Sequence, residues 1–201
     1  MYSIREIFER LKDWANKNVT NQDVVIDETR AVWALNEATN NIVSNIIRSG
    51  RNDELNRVRV LLNTKPLKKV NSDTKSDYFE IQKDYLNHSS IRAKSGKCEI
   101  DCHEIKSDNQ NITFNSNFEP SIVFQETIYY LEGNKIRIFK KGFDITYAEH
   151  TYYRKPRMVD LKGYERIDGS YSDKDIDFEF DNDLIDEIII KATEYFKLKN
   201  N

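Results

Sequence analysis

The chain has 201 residues, of which 38% are hydrophobic, 11% aromatic and 32% charged, with 31 basic and 34 acidic side chains and a net charge of −3. That aromatic content excludes disorder over the whole length, which goes with low hydrophobicity and few aromatics. The acidic balance argues against a general nucleic-acid binder, which shows a basic excess, and the length fits one domain with appendages or two small layers sharing a core.

Ser3, with Glu6 three residues on, is a capping box that opens the first predicted helix. Ile4, Ile7, Phe8, Leu11, Trp14 and Ala15 follow at helical spacing and form its apolar stripe. A second, longer helix is predicted from about Asp27 to Arg48. Leu35, Ala38, Ile42 and Ile46 give its stripe, widened by Trp33, Val43 and Ile47, and Gly50 is a natural residue to follow its C-terminus. A third, from Asp53 to Leu62, stops before Pro66. From Tyr78 the period changes to two. Tyr78 to Ile81 reads as a short extended piece, Ile91 to Ile105 as extended chain bent at Gly96, and Ile112 to Phe114 as a short strand. Ser121 to Leu131 and Lys135 to Phe139 make a hairpin across Glu132-Gly133-Asn134. Asp144 to Arg154 is the next strand, and Pro156 marks it as an edge or a bulge, with Met158 to Leu161 as its continuation. The last predicted helix, 183–197, carries a wide stripe of Leu184, Ile185, Ile188, Ile189, Ala192, Tyr195 and Phe196. The expected fold class is α+β, with N-terminal helices, a central antiparallel β-sheet or sandwich and a C-terminal amphipathic helix. The expected division is a helical region over residues 1–70 and a β-rich domain over 71–201 that includes the last helix.

Charge is unevenly placed. Residues 51–70 hold six basic and two acidic side chains, and residues 171–187 hold eight acids and one lysine. Opposite patches at separate places suit head-to-tail contact between copies. The acidic run Asp173 to Asp181 fails as an EF-hand loop, because Phe178 stands at the glycine position and Leu184 at the bidentate glutamate position. Read as a strand, it puts Ile176, Phe178 and Phe180 on one face and its acids on the other, which describes a guarded edge. Cys98, Cys102 and His103 are the one metal-like cluster, but a strand separates the two sulfurs by roughly 13 Å and a second cysteine pair is missing. The three histidines, His88, His103 and His150, are scattered, and six glycines give little material for a phosphate loop. The chain is therefore expected to be no enzyme and to take no cofactor and no metal. Its N-terminus lacks the apolar core of a signal peptide, and no apolar run reaches membrane-spanning length.

The segment Tyr152-Tyr153-Arg154-Lys155-Pro156-Arg157 admits base stacking with phosphate pairing, a protein-binding edge, or an ordinary edge strand. The protein-contact candidates are Tyr152, Tyr153, Arg154, Lys155 and Arg157, together with Leu184, Ile188 and Tyr195 of the last helix. An alternative reading is a nucleic-acid-binding accessory protein using Arg57, Arg59, Lys65, Lys68, Lys69 and the same edge, and a third, ranked below it, is an enzyme of unknown class whose site would assemble from distant residues.

The order of Asp77-Tyr78-Phe79-Glu80-Ile81, Asp84-Tyr85-Leu86, the hairpin Tyr129 to Ile138, Tyr152 to Pro156 and the acidic lead into Leu184 to Ile189 resembles small virion proteins of tailed bacteriophages. The similarity is to neck or tail ring proteins, the head-to-tail connectors or adaptors of podovirus-like and crAss-like phages. It covers most of the chain from Asp77 onward and lies in layout and short motifs. The resemblance implies a virion structural protein assembled in the host cytoplasm. It implies a homo-oligomeric ring, often twelve-fold, with the portal and other neck or tail proteins as partners and no membrane. DNA would pass through its lumen without sequence-specific binding. The resemblance carries over no catalytic residues.

Overall fold

The computed structural model describes residues 2–18, 26–105, 119–166 and 168–197. They form an α+β protein with N-terminal helices, a central eight-stranded sheet and a C-terminal helix. Two compact units emerge, residues 1–61 with 156–201, and residues 62–155. This differs from a division at residues 70 and 71. The chain enters the sheet at Leu62, and the last helix belongs with the N-terminal helices because it packs on two of them.

In the helical unit, α1 (Ile4–Asn18) and α2 (Glu28–Ser49) pack against α4 (Asn182–Lys197), with a short α3 (Asn52–Arg57) and one 3-10 turn (Arg59–Leu61) between α2 and the sheet. The capping box forms as expected, with Ser3 N–H donating to Glu6 Oε2 at 2.8 Å and Glu6 N–H to Ser3 Oγ at 3.3 Å. Asp27 caps α2 through its side chain, and Gly50 ends that helix at φ 65°, a left-handed conformation that suits a residue without Cβ. The stripe of α1 is buried except for Trp14, and in α4 Leu184, Ile185, Ile188, Ile189 and Ala192 are buried. Trp33 departs from its expected place in the α2 core and is exposed.

The acidic run belongs to this unit and is not a sheet strand; its one ladder contact is an isolated bridge between Asp160 and Ile176. Its two-residue alternation is nevertheless real. Phe178 and Phe180 are buried, while the acids face outward and cap backbone ends. Asp177 Oδ1 accepts Ile4 N–H at 2.7 Å, Asp175 takes Lys162 N–H at 2.7 Å and pairs with Arg5, and Glu179 takes Arg157 N–H at 2.8 Å. A carboxylate at the first turn of α1 also meets the positive end of its dipole.

The sheet unit holds β1 (Leu62–Pro66), β2 (Lys68–Ser72), β3 (Ser76–Glu80), β4 (Tyr85–Ser95), β5 (Cys98–Glu104), β6 (Glu126–Glu132), β7 (Lys135–Phe139) and β8 (Tyr147–Arg154). Their order is β1-β8-β4-β5-β6-β7-β3-β2, and every ladder is antiparallel except β5 with β6. That parallel pair is a departure from an all-antiparallel sheet. A parallel neighbour needs a long connection, and residues 105–125 provide it. The strand expected over Ile112 to Phe114 lies outside the described residues. The two outermost strands, β1 and β2, are separated by Leu67 alone, whose N–H donates to Ala148 O at 2.8 Å. The sheet therefore closes on itself through one bent run, 62–72. Lysines lace the seam, with Lys65 Nζ 3.2 Å from Asp84 and Lys69 Nζ 2.8 Å from Ile145 O.

Leu67, Phe79, Ile91, Ala93, Ile100, Tyr129, Ile136, Ile138, Ile145 and Ala148 form one core cluster of this sheet. Strand β8 lies between β1 and β4, so it is no edge; β1 occupies the place that a free edge would have left open. Pro66, at the end of outermost β1, sits where a missing N–H costs least. Beyond Pro156 no strand continues; Asp160 makes only its isolated bridge.

Candidate docking site

On α2, Thr29, Val32, Trp33, Asn36 and Glu37 share one face at spacings of three and four. Opposite this face runs a ribbon of the same unit, Met158, Val159, Asp160, Tyr164, Arg166, Asp168 and Ile176, and the two walls enclose a groove of about 530 Å³. The ribbon is held in place by hydrogen bonds to α2 and within itself. Asn36 is buried and pairs with Val159 as a strand would, Nδ2 donating to Val159 O at 3.1 Å and Oδ1 accepting Val159 N–H at 2.9 Å. Thr29 Oγ1 donates to Glu165 O at 2.8 Å. Asp160 and Ile176 exchange backbone hydrogen bonds of 3.1 and 2.8 Å. Burial alone would raise the Asp160 carboxyl, but hydrogen bonds from Arg166, Ser172 and Tyr164 outweigh it and hold it below its ordinary value. Burial and that carboxylate together push the Tyr164 phenol up to about 12. The groove is thus a rigid apolar hollow. Met158 (65% exposed) and Trp33 (44% exposed) stand in contact with water, and Val32 and Val159 are buried.

The eight sequence-derived contact residues scatter. Tyr195 meets Trp33 edge-on, with ring centroids 5.4 Å apart, and Arg157 is exposed directly before Met158. These two border the groove. Tyr152 offers no contact surface. It is fully buried and its hydroxyl donates to Asp84 at 2.8 Å, because its strand is interior and its alternation turns it inward. Leu184 and Ile188 are likewise core residues of the helical unit. Tyr153 and Arg154 are half-buried at the end of β8, and Lys155 is exposed. Sequence reasoning placed Trp33 inside and passed over Met158 and Asn36. The spacing from Thr29 to Glu37 was the signal that could have marked that face.

A buried polar chain, also missed, lies in the sheet unit. Alternation on β8 and β4 turns His150 and His88 to the same side, where His88 Nδ1 and His150 Nε2 lie 3.0 Å apart. Tyr129 Oη reaches His88 Nε2, and His150 Nδ1 lies 3.0 Å from Gln82 Oε1. With both rings neutral, Tyr129 donates to His88, His88 to His150 and His150 to the Gln82 carbonyl. Burial lowers both histidines, His150 to about 4, and raises the Tyr129 phenol. Elsewhere in the same unit, the fully buried Asp77 takes Lys69 at 2.9 Å, Lys140 at 3.0 Å and Ser72 Oγ at 2.6 Å. Cys98 is exposed and Cys102 half-buried, its thiol pushed up to about 12 by burial. Among the described residues no three His, Cys, Asp or Glu side chains gather as for a metal ion. No helix there is long and apolar enough to cross a membrane.

No protein-family model matches the chain, and comparison with curated proteins finds no similar one.

Proposed function

We propose that this chain is a structural subunit of a multi-copy assembly, and specifically a ring protein of a phage head-to-tail connector or tail, the class its layout resembles. One observation carries the reading: the helical unit holds open a braced apolar groove with Trp33 and Met158 in contact with water. We read this apolar hollow, with two large side chains at its mouth and charged groups around it, as a protein contact. Its occupant is a neighbouring subunit of the same assembly. In this role the chain binds and does not catalyse. Its partners are further copies, the portal and adjoining ring proteins, and its place is the virion, with DNA passing through the lumen. Nucleic-acid binding is less well supported, since Arg57, Lys65 and Lys69 are engaged by Glu187, Asp84 and Asp77.

The test is the mass of the purified protein in solution across a wide concentration range. We expect a discrete multiple of 23.8 kDa. A monomer at every concentration overturns the assembly reading. Mass spectrometry of purified virions then decides the connector assignment.

A further inference from the structure

Resting on the assembly reading, we propose that the α2 groove receives a cationic apolar segment of a different protein of that assembly, one in which a lysine or arginine stands beside large apolar side chains. The lining points to both halves of that chemistry. Val32, Trp33, Met158, Val159, Tyr164 and Ile176 make its walls apolar, and about 530 Å³ lies in the range of hollows that bury a bound group. Most of its polar groups are already engaged. Both amide atoms of Asn36 are held by Val159, Thr29 Oγ1 by Glu165 O, and the Arg166 guanidinium by Asp160 and Ser170 Oγ. Two carboxylates keep free capacity. Glu37 is exposed and has no ion pair among the described residues. Asp168 Oδ1 accepts the N–H and the hydroxyl of Ser170 at 3.0 and 2.7 Å, which holds the carboxyl below its ordinary value and leaves Oδ2 without a partner among the described residues.

A carboxylate only accepts hydrogen bonds, so the occupant must bring the donors. Three carboxylates of the lining stand against one guanidinium, which calls for a positive donor. The wider field has the same sign. The helical unit carries 16 basic and 21 acidic side chains, whereas the sheet unit carries 15 and 13. Glu37 lies one turn beyond Trp33 on the same face of α2. A lysine or arginine can lay its stem along the open indole and set its charge against Glu37, gaining cation–π attraction as well as an ion pair. An acidic segment meets repulsion there. The most exposed apolar pair of this chain, Val123 and Phe124, stands between Glu119 and Glu126 and does not meet the need, so the segment is sought on another protein.

The experiment pans an mRNA-displayed library of random heptapeptides against the full chain, with Glu37→Lys and Met158→Ser as comparison variants. Both positions are exposed, and an unchanged circular dichroism spectrum and melting temperature verify the fold of each. We expect the selected peptides to combine lysine or arginine with aromatic or aliphatic residues, and to bind each variant about 10-fold more weakly than the parent chain. Added salt weakens their binding to the parent chain, and weakens it less in Glu37→Lys. Selected peptides that are acidic or uncharged, peptides that bind both variants as tightly as the parent, or no selection at all, overturn the proposal. Variants that lose self-association shown by the parent give the groove to a second copy and overturn it too. An oligomeric parent chain that selects no such peptides leaves the assembly reading standing. A parent chain monomeric at every concentration that does select them overturns the assembly reading alone.

Discussion

The buried pair His88 and His150 makes the sheet unit sensitive to acid. Both rings are held neutral in the folded protein, because burial disfavours the imidazolium and because His88 Nδ1–H must meet an unprotonated His150 Nε2. A histidine whose folded value is depressed leaves the unfolded chain to take up the proton first. Stability is therefore full above the ordinary value of 6.5 and is lost as pH falls from there toward about 4, the value for His150. Over that interval, at about 1.4 kcal/mol per pH unit, the His150 contribution comes to about 3 kcal/mol. We expect the urea midpoint to fall between pH 7 and pH 5, and to fall less in His150→Gln. A midpoint independent of pH across that range refutes this account of the chain. Asp77 responds in the same sense but lower on the scale. Lys69, Ser72 and Lys140 outweigh its burial and hold its carboxyl below 3.8, so its contribution persists until the pH falls beneath that value.

The acidic run gains its purpose at the level of elements, where each carboxylate closes the end of something else. Asp177 reaches across the chain to the first turn of α1, and Asp177→Ala removes an acceptor for Ile4 N–H. A lost cap costs about 1 kcal/mol, which for a chain of this size lowers the melting temperature by about 2–4 °C. Asp173→Ala, at an exposed neighbour in the same run, is expected to leave it unchanged. Helix limits were the most legible part of the sequence. Ser3 with Glu6, Asp27 and Gly50 act through local hydrogen bonds that depend on near neighbours alone. The hairpin across Gly133 was legible for the same reason. Strands β1 and β2 were not, because Leu62 to Ser72 is mostly exposed, rich in lysine and interrupted by Pro66. Its strand character comes from partners 83 to 91 residues later in β8 and 5 to 12 residues later in β3. Losing β1 from the reading turned β8 into an edge and its buried Tyr152 into a contact candidate. The groove was half visible. The face of α2 is local, but its opposite wall is positioned by Asn36 acting on Val159, 123 residues away, and one sequence carries no sign of that pairing.

At the scale of the whole molecule, the sheet unit is a continuous insertion between two parts of the helical unit. Its two ends are neighbours, since Leu62 stands opposite Tyr153 in the ladder and Lys155 N–H donates to Asp84 O at 2.7 Å. A segment that begins and ends at one place, with its own core, has the anatomy of an independently folding domain. We expect residues 62–155 expressed alone to unfold cooperatively on heating and to keep a sheet-type circular dichroism spectrum. A fragment that shows no transition refutes this independence. The seam at Leu67 bears on how copies of the chain can safely crowd together. An open sheet offers its border strands as templates, and neighbouring molecules can then stack into amyloid or trade strands. Here the two border strands are halves of one run, with a proline in the first and lysines across the gap. Even at very high local concentration the sheet therefore offers little for such templating.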